Sequence, residues 1–182
     1  MRKILFCRQG IIAAFYTIVN KQYKLSLEIV PYGAISNARG YPIFYLRNKY
    51  GDNLKEEKLK IFLCYDINNG VINQISAEDW EFIEEDLRNY ILPESLVCHI
   101  KHDGSIEDWL LADCEGLSKF FGKKVTPLGI AGRDSIKKWC MDVRKPYVCA
   151  NESEGKKLIS FLDIKKIVKN HSEILSELLR VD

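Results

Sequence analysis

Three continuous apolar runs, Lys3–Cys7, Leu59–Tyr65 and Leu96–Ile100, constrain this chain more than any other feature. Each has the length of a strand and none alternates polar with apolar residues. That suits strands of a parallel sheet covered on both faces. A fourth segment, Lys24–Val30, behaves differently. Leu25, Leu27 and Ile29 alternate there with Lys24, Ser26 and Glu28, the pattern of an edge strand with one wet face.

Helical signals separate these runs. Ile11–Val19 follows the first run directly, and Pro42 sits where a helix over Pro42–Lys49 would begin. Ser76-Ala77-Glu78-Asp79 and Ser105-Ile106-Glu107-Asp108 both read as capping-box starts. The first leads into Trp80, Ile83, Leu87 and Ile91 at helical spacing and closes at Pro93. The second predicts one helix running to Phe121 and ended by Gly122. Ile164, Ile167, Val168, His171, Leu175 and Leu178 share a face of a predicted helix over Asp163–Arg180, where His171 is expected to pack rather than to ligate. Alternating strands and helices give an α/β fold: a mostly parallel four-stranded sheet flanked by helices, with a helical C-terminal part. We expect one domain over 1–182, with a core at 1–122 and a basic helical extension at 123–182.

The bulk properties narrow the class. An apolar content of 47% with 29% charged residues belongs to a globular chain rather than a disordered one. No apolar run approaches the roughly 18 residues of a membrane span, so no membrane contact is expected. Ile4-Leu5-Phe6-Cys7 is too short for a signal-peptide core, which predicts a cytoplasmic protein. Four of the six cysteines lie in or beside apolar runs and none forms a CxxC pair, so buried reduced thiols are expected. Net charge is +2, but Lys119 to the end holds 14 Lys/Arg against 8 Asp/Glu, or +6. That third, with Lys137 and Lys138, is a candidate face for nucleic acid or an acidic partner; the plain alternative is a solvated helix face.

In parallel sheets ligands sit at the carboxyl ends of the strands. Those ends here carry Arg8, Gln9 and Gly10; then Asp66 and Asn68; then His102 and Asp103, with Glu107 and Asp108 opening the next helix. Carboxylates and amides of this kind suit a hard cation such as Mg2+. Each residue also has a structural reading, since Asp and Asn form turns after strands and Asp108 fits a capping box. Arg8 beside a helix start favours phosphate or another anion, unless it pairs with a carboxylate such as Asp66.

At these positions the chain resembles the small TOPRIM-like proteins of bacteria, often encoded beside ABC-type ATPases in phage-defence loci. Three stretches carry the resemblance: Ile4 through Tyr16 with its strand, turn and helix; Asp66-Ile67-Asn68 at the place of an Asp-x-Asp motif; and Glu107-Asp108-Trp109-Leu110-Leu111-Ala112-Asp113, similar to a Glu-x-Trp-Leu-Leu-x-Asp helix start. The resemblance implies a metal-dependent nuclease site with Gln9, Asp66 and Glu107 in catalytic places and Asp66, Asn68, Asp103 and Glu107 around Mg2+. It departs from the pattern where it matters. Gln9 stands for the acid/base glutamate, Ala13 for a second glutamate and Asn68 for the second aspartate. Glutamine cannot exchange a proton at neutral pH, so the implied chemistry is impaired and the implied Mg2+ weak or absent. Three readings follow: a non-catalytic subunit of an antiviral defence complex that binds an ATPase and DNA or RNA; a Mg2+-dependent nuclease using Asp66 and Glu107; and an anion- or nucleotide-binding module built on Arg8 and Gly10. Assembly with further copies of itself stays open in all three.

Overall fold

The first apolar run forms β1 (Arg2–Arg8), and helix and strand then alternate: α1 (Ile11–Tyr23), β2 (Leu27–Tyr32), α2 (Tyr41–Tyr50), β3 (Leu59–Ile67), α3 (Ala77–Arg88) and β4 (Leu96–Asp103). Helices alone follow: α4 (Ile106–Leu110), α5 (Cys114–Phe121), α6 (Gly132–Asp142), α7 (Glu152–Ser160), α8 (Ile164–Asn170) and α9 (Ser176–Leu179). The structure, a computed structural model, describes residues 1–33, 39–67, 77–150 and 152–180. The expected α/β class with a four-stranded parallel sheet is the one observed. Strand order is β2-β1-β3-β4, and β1 runs parallel to both of its neighbours. Among the described residues no helix is long and apolar enough to cross a membrane.

The chain divides into two compact units. The first comprises Met1–Arg8, Ser26–Tyr65 and Gly70–Ile100; the second comprises Gln9–Leu25, Asp66–Asn69 and Lys101–Asp182. In the first unit one face of the sheet is a continuous apolar core. Ile4 and Phe6 of β1, Val30 and Tyr32 of β2, and Ile61, Leu63 and Tyr65 of β3 meet Leu46 and Tyr50 of α2 and Trp80, Ile83 and Leu87 of α3. Tyr65 stacks flat on Trp80 with ring centroids 4.3 Å apart. Leu5, Cys7, Phe62 and Cys64, which point to the other face, are also fully buried. Burial on both faces is why β1 and β3 read as unbroken apolar runs.

The outer strands depart from expectation in physical ways. β2 starts at Leu27 rather than Lys24, because Lys24 and Ser26 take left-handed φ angles of 52° and 51° that no strand accommodates. Pro31 lies in this edge strand, where a missing N–H is tolerated. β4 was expected to be covered on both faces, yet it is the other edge of the sheet and Leu96 is 46% exposed. It also runs past Ile100 to Asp103, so His102 and Asp103 belong to a strand rather than to a loop.

In the second unit two predicted helices are broken. The one expected from Ser105 to Phe121 stops at Leu110, passes through a 3-10 turn over Leu111–Asp113 and resumes as α5. Asp113 explains the break. Its buried carboxylate accepts the Asp163 N–H at 2.7 Å and faces Lys166 at 3.6 Å, a tie that a straight helix could not make. The predicted helix over Asp163–Arg180 is likewise two, α8 and α9, parted at His171, although Ile164, Ile167, Val168, Leu175 and Leu178 are all buried as predicted. Ser76, expected to cap α3, lies outside the described residues. All six cysteines are free thiols, and burial pushes the Cys7 thiol up to about 12.

Candidate functional site

Because β1 and β3 are neighbours while β2 and β4 lie outside them, the strand order reverses between β1 and β3, the usual place for a ligand in such sheets. Asp66, near the carboxyl end of β3, is the acid at this point. Its Oδ1 accepts the Ile106 N–H at the start of α4, at 3.1 Å, and lies 2.7 Å from His102 Nδ1. The period-2 alternation of β4 turns His102 inward and leaves Asp103 exposed. His102 is fully buried, and its Nε2 lies 2.8 Å from the Tyr16 hydroxyl. A carboxylate can only accept, so Nδ1–H donates to Asp66, while Nε2 and the Tyr16 hydroxyl share the second hydrogen bond. Rings extend this line: Trp109 meets His102 edge-on at 4.5 Å and stacks on His171 at 4.1 Å. Burial, reinforced by His102 and opposed by Asp103, holds the pKa of His171 below the usual imidazole value.

Glu107 is the second acid. It enters one residue after Ile106 on α4, whose start is fixed by Asp108 Oδ2 accepting from the Ser105 N–H at 2.8 Å and its hydroxyl at 2.7 Å. Glu107 is 4% exposed. Its Oε1 accepts from the Tyr147 hydroxyl at 2.5 Å, and its Oε2 is buried with no hydrogen-bond partner among the described residues. Arg133 of α6 faces both acids: Nε is 3.8 Å from Glu107 Oε1 and Nη2 is 3.9 Å from Asp66 Oδ2. Burial works against the guanidinium charge, but Glu107, Tyr147 and Asp66 together hold its pKa above the usual arginine value. Burial, then the neighbouring Cys149 thiol and Glu107, pushes the Tyr147 hydroxyl far up, so it stays a neutral donor. α6 reaches this position because Gly132 packs directly on the backbone of α4. A Cβ there would stand 2.5 Å from Asp108 N and from Glu107 C and O, and the Gly132 N–H donates to Asp108 Oδ1 at 2.5 Å.

The remaining predicted residues are more scattered. Arg8 and Gln9 are exposed, and among the described residues His102 and Arg133 are the side chains that face Asp66 as ion-pair partners, in place of Arg8. Gly10 is buried with φ +93°, and a Cβ on it would sit 3.1 Å from the Cys149 carbonyl oxygen, so the turn into α1 needs glycine for conformation and closeness. Asn68 lies outside the described residues. Lys137 is exposed, 3.9 Å from Asp134, with its ammonium 5.7 Å from the Tyr147 ring centre; Lys138 is exposed. Several lysines of the basic third are paired locally, among them Lys119 with Glu115, Lys123 with Asp142 and Lys156 with Glu152. Sequence reasoning did not single out Arg133 or Tyr147. Neither residue carried a local signal: Gly132 opens α6 right after its N-cap, where a glycine reads as an ordinary helix start and does not reveal the close approach to α4.

These residues do not fit the divalent metal that the resemblance implies. Magnesium wants a near-octahedral shell of oxygens at about 2.0–2.1 Å. Here Asp66 Oδ1 and Glu107 Oε1 accept from protein donors, and a guanidinium faces both carboxylates. Asp103 is exposed, on the opposite side of β4 from His102. Among the described residues no three acidic, histidine or cysteine side chains gather as a metal would need. Compared with known proteins, the chain significantly matches no family model, no curated protein and no solved structure.

Proposed function

We propose that this chain is a non-catalytic TOPRIM-like subunit of a bacterial antiphage defence complex, cytoplasmic, that binds an ABC-type ATPase and DNA or RNA. The observation that carries the reading is how the carboxylates at the strand ends are engaged. Asp66 accepts from His102 and the Ile106 N–H, and Glu107 accepts from Tyr147. Both acids thus hold β3, β4, α4 and the segment after α6 in place, and Gln9, exposed after β1, cannot trade a proton. A parallel sheet whose strand-end acids serve structure is a scaffold for a partner rather than a cleavage centre.

The test is affinity capture of the tagged chain from its native host, followed by assay of the assembly. The expected result is co-purification of an ATPase and complex activity that survives Asp66→Asn. A chain that stays monomeric and captures no ATPase would defeat the reading. Cleavage of DNA or RNA with Mg2+ or Mn2+, lost in Asp66→Asn and Glu107→Gln, would put the nuclease reading in its place.

A further inference from the structure

We infer that Arg133 is the resident cation of the Asp66–Glu107 pair, and that this pair takes a divalent ion only when the guanidinium is removed. The inference deepens the non-catalytic reading of the site and rests on it. Two carboxylates stand here with side chains only 9% and 5% exposed. Like charges held that close to a low-dielectric interior oppose each other's ionisation unless a counter-charge intervenes. Arg133 is that charge. At 3.8 and 3.9 Å it is beyond hydrogen-bond distance of both acids, so it serves the two as a shared cation and forms a bidentate fork with neither.

Glu107 Oε2 provides an independent observation. Among the described residues this oxygen has no hydrogen-bond partner, on a residue that is 96% removed from solvent, so the carboxylate retains an unused acceptor there. The two acids and the orphan oxygen leave a place for a hard cation where the guanidinium now stands; Asp66 Oδ1 and Glu107 Oε1 keep their protein donors, so water would have to complete the shell. α6 holds it there through Gly132, which leaves no room between its own backbone and that of α4.

The experiment compares the full chain with Arg133→Gln and Arg133→Lys, titrating Mn2+ by electron paramagnetic resonance and by thermal unfolding. Wild type and Arg133→Lys are expected to show no saturable Mn2+ site and no shift in Tm. Arg133→Gln is expected to melt lower and to recover on adding Mn2+. Its affinity should be at least about a hundredfold above wild type, as loss of a unit charge some 4 Å away at an effective dielectric near 20 implies. Adding Glu107→Gln to Arg133→Gln should abolish that binding. Saturable Mn2+ binding by wild type that Asp66→Asn removes would overturn the inference, and so would a folded Arg133→Gln protein indifferent to Mn2+. If Arg133→Gln fails to fold, refolding is repeated with Mn2+ or with methylguanidinium; recovery supports the inference, and recovery with neither overturns it. ATPase capture by wild type is a separate readout, so the functional reading and this inference fail by different results.

Discussion

Gly132→Ala tests the geometry on which the site depends. The added methyl carbon would stand 2.5 Å from three backbone atoms of α4, where ordinary contact begins near 3.4 Å. Backbone cannot swing aside as a side chain can, so α6 must retreat by roughly 1 Å. Arg133, the next residue, retreats with it, and its approaches of 3.8 and 3.9 Å to the two carboxylates open beyond pairing distance. Overpacking typically costs about 1–3 kcal/mol, and backbone meeting backbone belongs at the upper end. In a chain of this size about 3 kcal/mol lowers Tm by roughly 6–12 °C. Urea unfolding followed by circular dichroism measures it, with Gly40→Ala as the control. Among the described residues nothing lies within 4 Å of a Cβ at Gly40, and its helix-start position is expected to cost no more than about 1 kcal/mol. If Gly132→Ala unfolds at the same urea concentration as wild type, the direct packing of α6 on α4 is wrong, and the placement of Arg133 with it.

Other perturbations follow from the same network. Asp113→Ala strips the acceptor from the Asp163 N–H and the partner from Lys166; we expect a loss of about 1–3 kcal/mol in urea unfolding, with Asp113→Asn milder. Tyr16→Phe removes the hydrogen bond to buried His102 and should cost about 1–2 kcal/mol, against a near-neutral Tyr23→Phe in the last turn of α1. His171 binds protons less readily folded than unfolded, so its contribution is present above the ordinary histidine pKa of 6.5 and is lost as pH falls through and below it. Thermal scans from pH 8 to pH 5 should therefore show a shallower acid-side decline in His171→Phe than in wild type, and identical slopes would refute this.

Much of the fold is written locally in the sequence. β1 and β3 announce themselves because both faces are buried, so from Ile4 to Cys7 and from Ile61 to Tyr65 no polar residue interrupts them; the buried Lys60 stands just before the second stretch. The start of α4 is equally legible, since Ser105 and Asp108 meet through local hydrogen bonds that need no other part of the chain. The break at Asp113 is not, because its cause is the Asp163 N–H in a distant segment. Read alone, Trp109 through Phe121 continues a helix without interruption. β4 was misjudged for a similar reason: an edge strand carrying Val97, Cys98 and Ile100 looks as apolar as a central one until its neighbours are known.

The site shows the same division between local and distant causes. Asp66 and Glu107 follow from strand-end logic. The cation does not, because local reasoning assigns it to Arg8, which adjoins Gln9 in sequence, while the structure supplies it from Arg133. That exchange alters the chemistry. A cation at Arg8, exposed on the last residue of β1, would leave the carboxylates open to a ligand and draw anions to their rim. A cation at Arg133 faces the carboxylates themselves and offsets their charge from within the group. Such a group has little field left to steer phosphate or hold a metal. What it retains is cohesion: Asp66 ties β3 to β4 and α4, Glu107 ties α4 to Tyr147, and Arg133 spans both acids. Losing any one member leaves a buried charge without its counterpart, so the costs of removing Asp66 and Arg133 together should fall short of the sum of the separate losses.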